Sequence, residues 1–169
     1  MRVAASTVGP PCYPPIVAAP LRRLPAPAPP VRLYTVGYAR LAPARLDALL
    51  DELCARLVDV RVKPWSRIPG WSRPDLARRY GERYLWRGDL LGGLGRTTWP
   101  EGIAWLAAAS GPLVLLCKED SPLQCHRHGI ALGLDEPVDH WYRERLYRAD
   151  GLDELDQEDE IGRQLRLGV

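Results

Sequence analysis

Pro112–Cys117 reads PLVLLC, an almost wholly apolar run with a glycine before its proline and a polar loop after it. A run so short, so apolar and so bounded fits a strand buried on both faces, in the interior of a sheet. The loop Lys118–Gln124 follows, and Cys125–Leu134 then takes up helical spacing through Ile130, Ala131, Leu132 and Leu134. Strand, loop, helix is the unit of open α/β sheets, where the loop at the carboxyl end of the strand carries the chemistry. The chain must therefore provide partners for this strand and helices to cover both of its faces.

The remaining sequence supplies them. Val31–Val36 (VRLYTV) alternates with β-branched and aromatic residues and predicts a first strand, broken by Gly37. Pro43 suits the first turn of a helix, and Leu46, Leu49, Leu50, Leu53 and Leu57 recur at three and four. That predicts a helix over 41–56, with Cys54 near its apolar face. Leu57–Val62 (LVDVRV) predicts a buried strand with Asp59 and Arg61 on one face, joined to the first by a right-handed parallel crossover. Ser72-Arg-Pro-Asp75 is a capping-box pattern for a helix over 75–83, and Thr98-Trp-Pro-Glu101 is a second, for a helix stopped by Gly111. Tyr84–Trp86 predicts a short strand, the four-glycine stretch 87–96 a loop, and Val138–Arg143 a last strand, at an edge. The expected fold is a single three-layer α/β domain with a mostly parallel sheet and helices on both faces.

Composition sets the boundaries. Residues 1–31 hold nine prolines, which forbid helix and central strand and predict a flexible Pro/Ala-rich arm where Cys12 is incidental. Residues 150–169 hold seven acids against two arginines and form an acidic tail. The domain between them, 32–149, carries 18 basic and 14 acidic side chains, a bias that suits an anionic small molecule or nucleic acid as partner. No apolar run approaches the roughly 18 residues of a membrane helix, and the N-terminus lacks a continuous apolar segment, so neither a membrane span nor a signal peptide is expected. Four unevenly spaced cysteines make no disulfide framework and point to a reducing, cytoplasmic setting.

The loop after Cys117 is where reactive groups gather. Cys117 and Cys125 are candidate thiolate nucleophiles, and His126, His128 or Glu119 can carry protons. Asp59 and Arg61, at the end of a neighbouring strand, reach the same crevice if the two strands are adjacent. Arg61, Lys63, Arg67 and Arg127 then make a cationic cradle for phosphate or carboxylate. Among the tryptophans, Trp65 and Trp86 are candidates for stacking a base, although such aromatics more often serve packing. The spacing C-x7-C-H-x-H is not the paired pattern of structural zinc. Adjacent helical residues also face different ways, so Cys125 and His126 are not expected to share an ion. No metal and no cofactor is expected.

Several motifs occur together and in order: Tyr34-Thr-Val-Gly-Tyr38, Leu57-Val-Asp-Val-Arg61 with Pro64 and Ser66-Arg67, Tyr84-Leu-Trp86 with Leu91-Gly-Gly93, Leu115-Leu-Cys117-Lys-Glu119, and Cys125-His-Arg127. In this order the chain resembles the DUF488 family, small bacterial, archaeal and viral proteins with no established reaction. The resemblance covers roughly 33–140. It implies a three-layer α/β domain with Arg61, Glu119, Cys125, His126 and Arg127 as the shared polar set. A weaker likeness is to rhodanese domains, through the LVDVR strand and the later strand ending in cysteine. The loop here is longer and holds proline and acids, which departs from the rhodanese pattern.

The leading expectation is an enzyme acting on an anionic, nucleotide or nucleic-acid-derived substrate. Catalysis would use Asp59, Cys117, Glu119, Cys125 and His126; binding would use Arg61, Trp65, Arg67, Trp86 and Arg127. A non-catalytic nucleic-acid-binding module and rhodanese-like sulfur transfer are the alternatives.

Overall fold

A computed structural model describes residues 33–152. The Pro-rich segment 1–31, with Cys12, and the acidic stretch from 153 onward lie outside the described residues. In chain order the elements are β1 (Leu33–Gly37), α1 (Pro43–Glu52), β2 (Arg56–Asp59), α2 (Arg73–Tyr80), β3 (Tyr84–Trp86), α3 (Gly88–Leu91), α4 (Pro100–Ala108), β4 (Leu113–Cys117), α5 (His126–Leu132), β5 (Val138–Tyr142) and β6 (Arg145–Arg148). The six strands form one sheet in the order β3-β2-β4-β1-β5-β6. Every neighbouring pair is parallel except β5 with β6.

The apolar run that opened the sequence is the interior strand β4, buried at every position between β2 and β1. Its alternate residues feed two cores. Leu113, Leu115 and Cys117 pack with Leu106 of α4 and with Ile130 and Ala131 of α5. Val114 and Leu116 pack with Leu46, Leu49 and Leu50 of α1 and with Leu76 of α2. This is the three-layer arrangement expected, with the period-2 alternation of a strand dividing its side chains between the two helical layers.

Local signals explain most boundaries and also the departures. Ser72 caps α2 as the pattern predicts, its hydroxyl accepting from the Asp75 amide at 3.4 Å. The second pattern does not cap: α4 starts at Pro100 with Trp99 in the cap position, because the Trp99 ring is buried and its indole donates to the Gly92 carbonyl at 3.0 Å. The glycine-rich stretch is not all loop; Gly88–Leu91 closes one helical turn and buries Leu91. Cys54 is exposed, not part of the core, because α1 stops at Glu52 and Cys54 turns out at φ 47°.

The largest departure is at the right-hand edge. Val138–Tyr142 is not an edge strand: the chain reverses through Arg143 and Glu144 and pairs β6 against it. Both turn residues have positive φ, 48° and 64°. A two-residue turn of that kind normally announces itself by Asn-Gly or Asp-Gly; Arg-Glu gives no such signal.

Candidate functional site

The site forms where β4 ends. Cys117, the last residue of β4, faces the α4/α5 layer. The next residues fold across the end of β1, where Tyr38 and Ala39 amides donate to the Cys117 and Lys118 carbonyls at 3.1 and 3.0 Å. Gly37 is required at this crossing, since a Cβ there would lie 1.8 Å from the Glu119 carbonyl oxygen. Arg127 fastens the loop from the other side. Its guanidinium, fully buried, donates to the Glu119 carbonyl and, at 2.6 Å, to that of Asp120.

Cys125 is the cap residue of α5, with extended backbone (φ −134°, ψ 140°). It therefore does not obey helical spacing, and its side chain turns back toward Cys117 while His126 does the same from the first helical position. The expectation that Cys125 and His126 face apart is corrected by this geometry. Both sulfurs lie 3.8 Å from His126 Nδ1. Glu119 Oε2 lies 3.2 Å from the Cys117 sulfur and 3.5 Å from that of Cys125. Gly93 makes room for the imidazole: a Cβ there would approach the ring Cγ to 2.4 Å.

This cluster floors a cleft of about 410 Å³. Lys63, Lys118 and Arg61 stand on its walls, and Tyr38, Trp65 and Leu94 complete them. Trp65 and Leu94 are two-thirds or more exposed, at 67% and 71%, so both offer apolar surface to a ligand rather than to the core. Lys63 and Lys118 are the only lysines of the whole chain.

Charge is unevenly held on the floor. The Cys125 thiol is drawn down to about 5, first by the hydrogen bond from Cys117, against the cost of burial, and further by His126 and the Arg127 charge. The Cys117 thiol is pushed far up by the same hydrogen bond and by burial. The two thiols titrate as a pair: one proton shared between them is held tightly and the other is given up easily, with the thiolate favoured on the Cys125 side by His126 and Arg127. Burial works to lower the His126 imidazole, but the hydrogen bond to Cys125 and its charge outweigh it, and His126 ends above its ordinary value. Glu119 is held below the usual carboxylate range; burial opposes this and the Cys117 thiol and a backbone amide overcome it.

Comparison with protein-family models, with curated proteins and with solved structures finds no match.

The structure thus brings together Cys117, Glu119, Cys125 and His126, with Arg61 and Trp65 beside them. It keeps the other candidates apart. Asp59 shares the strand face of Leu57, toward α1 and α2, whereas Cys117 faces the opposite layer. Its carboxylate accepts from Arg61 Nε at 2.8 Å, Arg61 NH2 at 2.6 Å and the Tyr84 hydroxyl at 2.8 Å. Asp59 therefore orients Arg61, whose NH1 also donates to the Trp71 carbonyl at 2.9 Å and whose guanidinium lies over the Tyr38 ring. Arg127 braces the loop and does not line the cleft. Trp86 donates to the Arg61 carbonyl at 2.9 Å and lies under Arg73. Arg67 is exposed and sits over Trp65, outside the cleft lining. His128 pairs with His140 at 3.2 Å and leaves the thiols to His126.

Sequence reasoning missed Lys118 and Leu94 as cleft residues and Gly93 as the seat of His126. One signal was present: in a chain that uses arginine for nearly every cation, two isolated lysines, one directly after β4 and one in the segment that follows β2, mark special positions.

Proposed function

We propose that the protein is an enzyme acting on an anionic substrate of nucleotide or nucleic-acid origin, with Cys125 as nucleophile and His126 as proton carrier. The observation that carries this reading is the Cys125–His126 contact at 3.8 Å on the floor of a cleft walled by Lys63, Lys118 and Arg61. Two of these cations are flexible point charges and the third is a rigid, buried fork, a mixture suited to phosphate. Trp65 and Leu94 at the rim supply a flat apolar surface for a base. Cys117, beside Cys125, shares a proton with it and so steadies the thiolate. The motif order that resembles DUF488 converges on the same corner and supports the reading.

Two measurements test it. Iodoacetamide should label Cys125 before Cys117 in the reduced protein, and a nucleoside monophosphate should slow that labelling. A panel of nucleotides and short oligonucleotides, followed chromatographically, should yield one class that is turned over by the native chain and not by Cys125→Ala or His126→Ala, with melting temperature retained. Labelling indifferent to every nucleotide, or full turnover in both variants, overturns the proposal.

A further inference from the structure

We propose that Cys117, Cys125, His126 and Glu119 also form a binding site for one thiophilic divalent cation of the zinc class. Cys117 Sγ, Cys125 Sγ and His126 Nδ1 all lie within 4.8 Å of one another. Zinc with Zn–S near 2.3 Å and Zn–N or Zn–O near 2.1 Å spaces tetrahedral donors about 3.6 Å apart. The four sulfur-to-donor distances here are 3.8, 3.8, 3.2 and 3.5 Å, four of the six edges of such a tetrahedron, and the sulfur-to-sulfur edge lies within 4.8 Å. The donors come from three short pieces of rigid backbone: the end of β4, the loop pinned by Gly37 and Arg127, and the cap of α5.

Charge favours a cation at this point. A carboxylate oxygen sits against two sulfurs, so three groups that can be anionic converge on one small volume. A divalent ion between them would turn mutual repulsion into coordination. Loading needs both sulfurs as thiolates and a bare His126 Nδ1, so any proton that these atoms carry leaves to solvent as its lone pair bonds the metal. The ion then occupies the Cys125 lone pair and masks it from a substrate. This masking rests on the thiol reading above; the site itself does not.

The full chain, reduced and stripped with chelator, is titrated with cobalt(II) chloride and then with zinc(II). One equivalent of cobalt should produce a thiolate-to-cobalt charge-transfer band, and zinc should remove it. The band should vanish in Cys117→Ser and Cys125→Ser. In Glu119→Gln, which alters a half-buried side chain and leaves both sulfurs, the band should persist with cobalt affinity reduced about tenfold or more, the loss typical of disturbing even a partner of a metal ligand. A native chain without the band, or an undiminished band in Cys125→Ser, overturns the site. Iodoacetamide labelling of Cys125 should slow when one equivalent of zinc is bound; unchanged labelling overturns the masking. Absence of labelling in the metal-free chain would instead sink the thiol reading while the cobalt band still reports the site.

Discussion

At the scale of single residues, Asp59 shows how a polar side chain serves a site without entering it, by holding Arg61 on the cleft wall. Both side chains are nearly inaccessible, at 0% and 6% exposure, and every bond of the Asp59 carboxylate goes to Arg61 or Tyr84. Removing the acid leaves a buried guanidinium without its counter-charge, which costs on the order of 3–5 kcal/mol. Asp59→Ala should therefore lower the denaturant midpoint strongly and weaken nucleotide binding in whatever fraction remains folded, measured by urea unfolding and by titration. A second residue sets a pH limit on stability. His140 is fully buried between Thr35 Oγ1, at 2.6 Å, and His128. Burial, then the Arg127 and His128 charges, push it down to about 3. Its folded value lies below its unfolded value near 6.5, so between the two the unfolded chain binds the extra proton. Stability is present above about pH 6.5 and falls as pH drops toward 3, by roughly 1.4 kcal/mol per unit for one proton. Urea midpoints at pH 7 and pH 5 should show that slope, and His140→Gln should reduce it.

At the scale of elements, the site depends on close approaches that only particular residues permit. Gly93, in the stretch between α3 and α4, lies against the His126 ring, so Gly93→Ala must displace the imidazole or the backbone. The expected cost is about 1–3 kcal/mol, together with slower iodoacetamide labelling of Cys125, which a purely structural defect elsewhere would not produce. The β5–β6 turn offers the opposite experiment. Arg143 and Glu144 hold left-handed backbone that glycine and asparagine adopt at little strain. Replacing them by Asn-Gly should raise stability by about 0.5–1 kcal/mol, read as a higher melting temperature. The exposed Glu144 contact to Arg45, given up in the exchange, contributes little. These two places also show where sequence falls short. The strands β1, β2 and β4 are legible because β-branched and leucine runs have one stable use, and the Ser72 cap is legible because its partner is three residues away. The turn at 143–144 is not, because tertiary pairing of β6 overrides the preferences of Arg and Glu. The seat of His126 is not, because it depends on a contact between residues 33 positions apart in number.

At the scale of the molecule, one cleft is assembled from four stretches of chain: the end of β1, the segment after β2, the α3–α4 connection and the loop after β4. The sequence placed Cys117, Glu119, Cys125 and His126 in one corner, since all lie within a single strand–loop–helix unit. It did not show that Asp59 and Arg127 stand off the cleft lining, because whether a polar residue faces a cleft or a core depends on which layer its strand face meets and on what its loop needs. It also misjudged Cys125 against His126, because a cap residue leaves the helical screw. The two lysines are the cleanest probe of the assembled cleft. Lys63 and Lys118 are exposed and come from different segments, so Lys63→Ala and Lys118→Ala should each weaken nucleotide binding and leave the unfolding free energy within about 0.5 kcal/mol of the native value. Loss of binding in neither variant would show that the cleft is not where the anion sits.

The reversed strand β6 has a consequence for how copies of this chain meet. A parallel sheet ending at β5 would present an open ladder of amides and carbonyls to any neighbour. Instead the described sheet ends on one side in a four-residue strand bounded by Arg145 and Arg148, and on the other in a three-residue strand, Tyr84–Trp86. A short strand flanked by like charges is a poor template for another copy, so crowding should not zip these molecules edge to edge.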